Sequence, residues 1–210
     1  QNRLPIDINK VPQHLQNAFI AAEDNRFYDH IGIDPIGIGR AIVTNITSGG
    51  IAQGGSTITQ QLAKNAFLSQ EQTLKRKIQE AMLALEIERK YSKKEILEMY
   101  MNQIYFGQGA YGIQTAARTY FDKDVDQLNL KQCAMLAGLP KSPNYYSPFN
   151  NLEEAKKRTN TVLDQMVKYG YISQDECTEA KNADLALTQM KQTDDNADTA
   201  SFVDYVSQLV

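Results

Sequence analysis

The sequence predicts a mainly α-helical fold, and three observations support this. Apolar residues recur at helical spacing, as Leu15, Ala18, Phe19 and Ala22 do near the start. Residues that cap helix N-termini precede these patterns, and no convincing β-hairpin signal appears before the final residues. A chain of 210 residues, 42% of them hydrophobic, is long enough to bury one core and to carry an appended lobe.

Local start signals define the predicted helices. Pro12 suits the first position of a helix that ends near Glu23, and Asp34 precedes Pro35 at the start of the next. Ser92 and Glu95 have the spacing of a capping box. The other predicted caps are Ser56 and either Ser69 or Thr73. The predicted helices after the first span residues 36–46, 57–67, 73–90, 93–104, 111–121, 130–139, 152–169 and 173–181.

The ends of the sequence suggest part of a longer protein. Gln1 is not a natural start, and no signal peptide or run of eighteen apolar residues is present. Residues 190–200 are polar and resemble a linker, and residues 202–206 resemble the first strand of a following domain. Cys133 and Cys177 are expected to be free and partly buried, since two cysteines in helical patterns imply no disulfide framework.

The net charge of −3 conceals an asymmetry between the two halves. Residues 1–94 hold 12 Lys and Arg against 9 Asp and Glu, whereas the remainder holds 10 against 16. The front half therefore suits an anionic ligand or a membrane surface, and the back half suits a solvated support. We expect no nucleic-acid partner.

The first candidate site lies in residues 22–30, around Glu23. This residue falls near the end of the first helix, beside Asp24 and among apolar neighbours. Such surroundings raise the pKa of a carboxyl group and suit it to general base chemistry. A solvated acidic helix end is the alternative, but an acid at a helix C-terminus opposes the helix dipole.

Two further stretches suit an anionic ligand. Gly54 and Gly55 precede the helix capped by Ser56, where exposed backbone N–H groups favour anions, and Lys64 follows in that helix. In the next helix Glu80 stands beside Arg76 and Lys77, as either an ion-pair network or a site for a charged ligand. That helix is apolar on two sides, which predicts burial on both. An ordinary loop and cap remains the alternative for the glycines and serine.

Together these stretches resemble the peptidoglycan glycosyltransferases, which occur as domains of class A penicillin-binding proteins and as monofunctional transglycosylases. The resemblance rests on five motifs in family order and spacing. They are Glu-Asp-Asn-Arg-Phe-Tyr-Asp-His-Ile-Gly (23–32), Gly-Gly-Ser-Thr-Ile-Thr-Gln-Gln (54–61), Arg-Lys-Ile-Gln-Glu-Ala (76–81), residues 94–102 and Leu-Ala-Gly-Leu-Pro (136–140).

The resemblance implies a lysozyme-like, two-lobed helical domain over residues 1–187, with a small mobile lobe facing the membrane. Residues 188–210 would then be a linker and the start of a truncated transpeptidase-type domain. The implied reaction polymerises lipid II with inversion at the donor sugar. The implied location is the extracytoplasmic face of a bacterial membrane, with an N-terminal anchor outside this sequence and cell-wall synthesis proteins as partners.

The resemblance also assigns roles to residues. Glu23 matches the catalytic base for the acceptor 4-hydroxyl, and Glu80 matches the second family carboxylate, near the donor pyrophosphate. No cofactor is certain, but a divalent cation, Mg²⁺ or Mn²⁺, could bind at that pyrophosphate. Gln72 departs from the basic residue common at its position, which puts a phosphate contact there in doubt. The implied substrate-binding residues are Gln61, Lys64, Arg76, Lys77, Ser56 and Thr57.

Several motif residues suit structural roles instead. Asp24, Ser56, Thr57, Glu98 and Asn102 match motif positions, and for most of them structural or supporting roles are expected. Glu98 and Asn102 stand one turn apart and could bridge helices.

Two other functions share these features. A lysozyme-like lytic enzyme has a similar helical fold and a lone catalytic Glu acting as general acid. Cleavage of a neutral glycan needs no cation cluster, so Lys64, Arg76 and Lys77 favour the polymerase. A non-catalytic scaffold for cell-wall partners leaves Glu23 unexplained.

Residues 35–53 combine many aliphatic side chains with glycines at both ends. Core packing of these aliphatics is the simpler interpretation. Glycine freedom and the positive charge of Arg40 instead favour an exposed, mobile segment that contacts the membrane surface.

Overall fold

The fold is described from a computed structural model, which covers residues 4–48, 54–67 and 73–188. The α-helices are α1 (Gln13–Glu23), α2 (Pro35–Ser48), α3 (Ile58–Phe67), α4 (Leu74–Lys90), α5 (Lys93–Gln103), α6 (Ile113–Phe121), α7 (Leu130–Gly138), α8 (Leu152–Lys168) and α9 (Gln174–Asn182). Short 3-10 helices span Ile8–Lys10, Val125–Gln127 and Leu139–Lys141. Within the described ranges the only β-type pairing is one antiparallel bridge between Tyr105 and Tyr111. The mainly α prediction is therefore confirmed.

Local capping explains where most helices begin. Ser92 with Glu95 forms the predicted capping box of α5, and Ser173 with Glu176 forms a second capping box, at the start of α9, which was not predicted. Thr73 caps α4 by accepting a hydrogen bond from the Arg76 N–H group. Pro12 is the N-cap of α1 rather than its first residue, so that helix begins one residue later than predicted.

The core forms around α1. Its residues Leu15, Ala18, Phe19 and Ile20 have no exposed surface, and the helix packs between α7 and α8. The Phe19 ring makes edge contacts with two other buried rings, with its centroid 6.0 Å from those of Tyr100 and Phe106. On the α5 side, α3 packs against both α4 and α5. This burial fixes the C-terminal end of α1, where Glu23 lies.

Both α2 and α4 expose apolar side chains. The prediction that α4 is buried on both sides is wrong, since Leu74 is 81% exposed and Met82 61% exposed, with Ile78 between them. Glu80, Ala84 and Ile87 form the buried side instead. On α2 the exposed aliphatics are Ile36, Ile38, Val43 and Ile46. Core packing therefore does not account for these α2 side chains, and the predicted mobility of residues 35–53 stays a prediction.

Other predictions on the fold have mixed outcomes. Cys133 and Cys177 are free and buried, as expected. In the part of the chain that the structure covers, no helix has the length and apolar character needed to cross a bilayer. Ser69, Gln72, residues 49–53 and the predicted linker and strand after residue 188 lie outside the described residues, so those predictions stand as they were.

Candidate active site

Glu23 is the last residue of α1, and its side chain is only 10% exposed. Gln61 in α3 donates a hydrogen bond from Nε2 to Glu23 Oε2 at 2.9 Å. On the other oxygen, Arg158 Nη2 of α8 lies 3.8 Å from Glu23 Oε1. A cavity of about 330 Å³ opens beside this carboxylate, and we call it the central cavity. Its lining includes Glu23, Asn25, Asp34, Arg40, Ser56, Thr57, Gln61, Lys141, Arg158 and Gln165.

The pKa of Glu23 is raised above its ordinary value, chiefly because burial penalises the charged form. The hydrogen bond from Gln61 and the positive charges of Arg158 and Lys141 act in the opposite direction, and Asp24 adds a smaller upward effect. The prediction that apolar surroundings raise this pKa is thus confirmed, with burial a larger cause than the neighbouring carboxylate. A carboxylate with a raised pKa is a stronger base and remains a useful proton acceptor.

Tyr100 fixes the orientation of the Gln61 amide. Its hydroxyl donates to Gln61 Oε1 at 3.2 Å, which leaves the amide N–H group to point at Glu23. Tyr100 is fully buried, and burial, reinforced by the charges of Glu23 and Asp24, raises the pKa of its hydroxyl well above the ordinary value. Tyr100 therefore remains a neutral donor, and Gln61 cannot turn without losing both hydrogen bonds.

Asp24 joins the first two motifs. Its Oδ2 accepts a hydrogen bond from the Ile58 N–H group at 3.0 Å and contacts His30 Nε2 at 2.8 Å. His30 Nδ1 accepts from the Gly32 N–H group, so Nε2 carries the proton donated to Asp24. All these groups are buried. This network holds the start of α3 against the loop after Glu23, and these contacts support a structural role for Asp24.

Thr57, rather than Ser56, is the N-cap of α3, so the predicted cap is wrong by one residue. Thr57 Oγ1 accepts from the Gln60 N–H group, and Gln60 Oε1 accepts from the Thr57 N–H group. The Thr57 hydroxyl also donates to Gly32 O at 2.6 Å. These contacts favour a structural role for Thr57 over the predicted substrate contact. Ser56 Oγ instead accepts from Lys77 Nζ at 2.8 Å.

The cations predicted to hold phosphates line a second cavity, which we call the cation cavity. Lys77 Nζ lies 2.6 Å from Glu80 Oε1, and Glu80 is almost fully buried at 2% exposure. Ser56 and Gln61 line both this cavity and the central one, so the two are neighbours. The full lining is Ser56, Gln61, Lys64, Thr73, Leu74, Arg76, Lys77 and Glu80. The structure thus brings together every predicted site residue around two adjoining cavities.

A divalent cation fits this cavity poorly on protein ligands alone. Within residues 4–48, 54–67 and 73–188, no group of three or more His, Cys, Asp or Glu side chains is arranged to hold a metal. Glu80 supplies the carboxylate of the cation cavity, and the Lys77 ammonium already neutralises it. A bound Mg²⁺ ion would have to draw most of its oxygen ligands from a phosphate group and water.

Sequence reasoning missed Arg158 and Lys141. The Leu-Ala-Gly-Leu-Pro motif was the available signal, because its Gly138 contacts the Arg158 side chain and Lys141 directly follows it. A Cβ atom on Gly138 would lie 2.9 Å from Arg158 Cγ, so only glycine leaves room for that side chain. Arg158 Nε also donates to Gly138 O at 3.2 Å. Lys141 follows in the 3-10 helix Leu139–Lys141 and lines the central cavity.

Glu98 and Asn102 hold the N-terminal segment rather than bridging α-helices. Glu98 Oε2 accepts from the Ile8 N–H group at 2.8 Å. Asn102 exchanges two hydrogen bonds with the backbone of Ile6, both at 2.9 Å. The fourth motif therefore stabilises the fold and contributes no group to either cavity.

A mainly helical fold carries a buried carboxylate beside a cation-lined cavity, and comparison with known proteins identifies the family. The family model described as Transglycosylase matches residues 1–167. The chain therefore belongs to the transglycosylase family, which confirms the resemblance to peptidoglycan glycosyltransferases.

Individual relatives carry penicillin-binding protein names. The chain is 52% identical over 187 residues to penicillin-binding protein 1A of Aquifex aeolicus, covering 89% of this chain and 26% of that protein. It is 46% identical over 210 residues to penicillin-binding protein 1F of Bacillus subtilis, covering 100% of this chain and 29% of that protein. The chain thus spans less than a third of the length of these relatives.

A solved structure shows the same fold. The crystal structure of penicillin-binding protein 1A from Haemophilus influenzae matches 92% of this chain and 19% of that one, with a TM-score of 0.56 and 26% identity.

Proposed function

We propose that this chain polymerises lipid II into glycan strands by inverting glycosyl transfer, as a peptidoglycan glycosyltransferase domain. One observation carries the proposal. The buried Glu23 carboxylate, with its raised pKa, lies beside a cavity lined by Lys64, Arg76 and Lys77. Gln61 connects the two, because it donates a hydrogen bond to Glu23 and also lines that cavity. The reaction needs this pairing, because a hydroxyl must lose a proton while a diphosphate leaves with its negative charge.

Glu23 is the general base in this proposal. It takes the proton of the acceptor 4-hydroxyl as that oxygen attacks the anomeric carbon of the donor sugar. The bond from this carbon to the lipid diphosphate breaks at the same time, and the diphosphate keeps the electron pair. Lys64, Arg76 and Lys77 stabilise the developing negative charge, so the leaving group needs no proton.

Glu80 supports the cations in this proposal. Its buried carboxylate holds the Lys77 ammonium, which also donates to Ser56. The pairing positions Lys77 at the cavity and limits the repulsion among neighbouring positive charges. Binding of a divalent cation, Mg²⁺ or Mn²⁺, at the donor diphosphate stays a prediction from the resemblance.

The apolar surfaces of α2 and α4 support contact with a membrane. Ile36 and Ile46 on α2, and Leu74, Ile78 and Met82 on α4, are exposed. Such apolar surface would be buried at the headgroup boundary of a bilayer, which is where a lipid-linked substrate enters. We propose that the domain works on the extracytoplasmic face of a bacterial membrane, with an anchor outside this sequence and cell-wall synthesis proteins as partners, as the resemblance implies.

The raised pKa of Glu23 also suits the general acid of a glycan-cleaving enzyme, which is the second candidate function. The cation cavity distinguishes the two, because a neutral glycan offers nothing to Lys64 and Arg76. Incubation with lipid II and, separately, with finished glycan tests both. Strand synthesis is expected from lipid II, and shortening of the glycan with no synthesis would overturn the proposal.

Glu23→Gln tests the mechanism. The variant should bind a diphosphate-bearing donor with unchanged affinity and lose roughly 10²–10⁴-fold in turnover, as expected for a positioned proton transfer. Near-normal synthesis by this variant would remove Glu23 from the reaction. Glu86→Gln, a change at an exposed residue of α4, is the matched control and should keep full turnover.

A further inference from the structure

Three cavities follow one another across the described part of the molecule, with Glu23 in the middle one. The central cavity shares Ser56 and Gln61 with the cation cavity. It shares Asn25 and Arg40 with a third cavity, which we call the Lys168 cavity. The cation cavity and the Lys168 cavity have no lining residue in common. The Lys168 cavity is lined by Asn25, Arg26, Arg40, Lys168 and Tyr169.

The Lys168 cavity is positively charged. Arg26, Arg40 and Lys168 come from three separate segments, the loop after α1, the helix α2 and the last turn of α8. Among the described residues, Asp34 is the carboxylate that pairs with one of these three cations, and its Oδ2 lies 3.2 Å from Arg26 Nε. Asp34 lines the central cavity and is not part of the lining of the Lys168 cavity. One carboxylate against three cations leaves this cavity with excess positive charge.

Helix electrostatics and ring contacts account for only part of this cluster. A lysine in the last turn of α8 is favoured by the helix dipole, and Lys168 Nζ lies 5.6 Å from the centroid of the Tyr169 ring. Neither effect explains why two arginines from other segments converge on the same cavity. Arg40 Nη1 donates to Asn25 Oδ1 at 3.2 Å, which ties this cation to the loop that begins just after Glu23.

The proposed reaction brings two diphosphates to the protein. The donor diphosphate departs, and the acceptor keeps its own at the far end of the disaccharide whose 4-hydroxyl reaches Glu23. Lys64, Arg76 and Lys77 serve the donor on one side of the central cavity. We infer that Arg26, Arg40 and Lys168 bind the diphosphate of the acceptor on the other side. This inference rests on the proposed function.

A single-coupling assay tests the inference. The donor carries a blocked 4-hydroxyl, so that it cannot act as acceptor. Two acceptors share one disaccharide and peptide but end in either a short-chain lipid diphosphate or a neutral alkyl glycoside. In neutral detergent, Lys168→Ala and Arg40→Ala should each raise the KM of the diphosphate acceptor about 5–10-fold, the loss expected for a partly exposed charge-assisted contact. The KM of the neutral acceptor and that of the donor should not change.

Matched variants sharpen the result. Lys168→Arg should keep the KM of the diphosphate acceptor close to the wild-type value, because it keeps the positive charge. Lys157→Ala alters an exposed lysine of the same helix that pairs with Glu154 and lines none of the three cavities, and it should leave every KM unchanged. Lys64→Ala should raise the KM of the donor instead.

Three results would overturn the inference. One is an equal rise in KM for both acceptors, which would assign the cations to the sugar or the peptide carboxylates. Another is no change for either acceptor. The third is an effect that appears only on vesicles with anionic lipid, which would assign the cations to headgroups.

Calorimetry provides a test that does not depend on turnover. Binding of the soluble diphosphate acceptor is measured in a Lys64→Ala background, which weakens the cation cavity, with and without Lys168→Ala. A 5–10-fold weakening supports the inference, and unchanged affinity overturns it. A protein that binds in this way but couples no sugars would overturn the proposed function alone.

Discussion

The Glu23 carboxylate combines a pKa suited to the proposed reaction with a cost in stability. Burial raises its pKa, so the folded protein binds this proton more tightly than the unfolded chain does. The resulting stabilisation is complete below the unfolded pKa, near 4.5, and is lost as the pH rises through the raised folded value. Above pH 4.5 the unfolded chain ionises Glu23 more readily than the folded protein does, so ionisation of this residue opposes folding.

Glu23→Gln should consequently raise the melting temperature at pH 7, because glutamine mimics the neutral form. The gain should shrink as the pH falls through the raised folded pKa of Glu23, and it should vanish below about 4.5, where the carboxyl is protonated in both the folded and the unfolded state. Melting curves from pH 4 to 8 measure this, with Glu86→Gln as an exposed control. A variant that melts lower at pH 7 would show that Arg158 and Lys141 stabilise the charge by more than burial costs.

Asp24, unlike Glu23, is expected to stabilise the fold, because its contacts hold two segments of the chain together. Asp24→Asn replaces a buried charged acceptor that contacts both the Ile58 N–H group and His30. We expect a loss of about 1.5–3 kcal/mol in the free energy of unfolding, the range for hydrogen bonds to charged groups. Denaturant titration measures the change. Asp29→Asn, at an exposed acid of the same motif, should lose almost nothing, and equal losses would refute the structural role of Asp24.

At the level of single residues, the site residues that lie within sequence motifs could be predicted. Site residues that lie outside the motifs and reach the cavity only through helix packing could not be predicted. Glu23, Gln61 and Glu80 could be found because each stands in a short pattern with chemical meaning. Arg158 sits in α8 with no local sign that it reaches Glu23, since its place depends on how α8 packs against α1 and α7. Gly138 gave a hint, because a glycine inside a helix implies a close neighbour.

Helix starts were predictable because capping is local. The boxes at Ser92 and Ser173 lie within four residues, so no knowledge of tertiary packing was needed. Burial of α4 was predicted wrongly for the opposite reason. Apolar spacing identifies the sides of a helix, but it does not say whether protein covers each side, and Ile78 remains exposed.

The exposed sides of α2 and α4 carry a prediction at the level of elements. Ile36→Asp and Ile78→Asp should each reduce binding to anionic liposomes several-fold, because each removes buried apolar area and adds charge at the interface. Both residues are exposed, so the melting temperature should hardly change. Sedimentation with vesicles measures the binding.

The control for this prediction is Gln79→Asp, which adds the same charge on α4 at an exposed polar position. Equal losses for Gln79→Asp and Ile78→Asp would mean that charge repulsion, and not apolar contact, explains the effect. Unchanged binding of both isoleucine variants would contradict membrane contact through these helices.

For the whole molecule, net charge and local charge predict different behaviour. The chain carries a net charge of −3, yet the cation cavity and the Lys168 cavity are positive. With lipid II as substrate, kcat/KM should fall several-fold between 50 and 500 mM salt, since screening over about 10 Å at 0.1 M shortens further as salt rises. Steady-state assays in neutral detergent measure this.

The double variant Lys64→Ala, Arg76→Ala provides the comparison, and its kcat/KM should depend less on salt. An increase of kcat/KM with salt in the wild type would indicate that repulsion between a negative protein and a negative substrate outweighs the local cations. That outcome would contradict the role given to both cavities.

The hydrogen bond between Gln61 and Glu23 makes the two carboxylate oxygens unequal. Tyr100 holds the Gln61 amide in one orientation, and that amide anchors Oε2. Oε1, which lies 3.8 Å from Arg158 Nη2, is the oxygen that we expect to accept the proton in the proposed reaction. In the proposed reaction the sugar hydroxyl approaches Oε1, so Tyr100, which lines neither the central cavity nor the cation cavity, determines which side of Glu23 takes the proton.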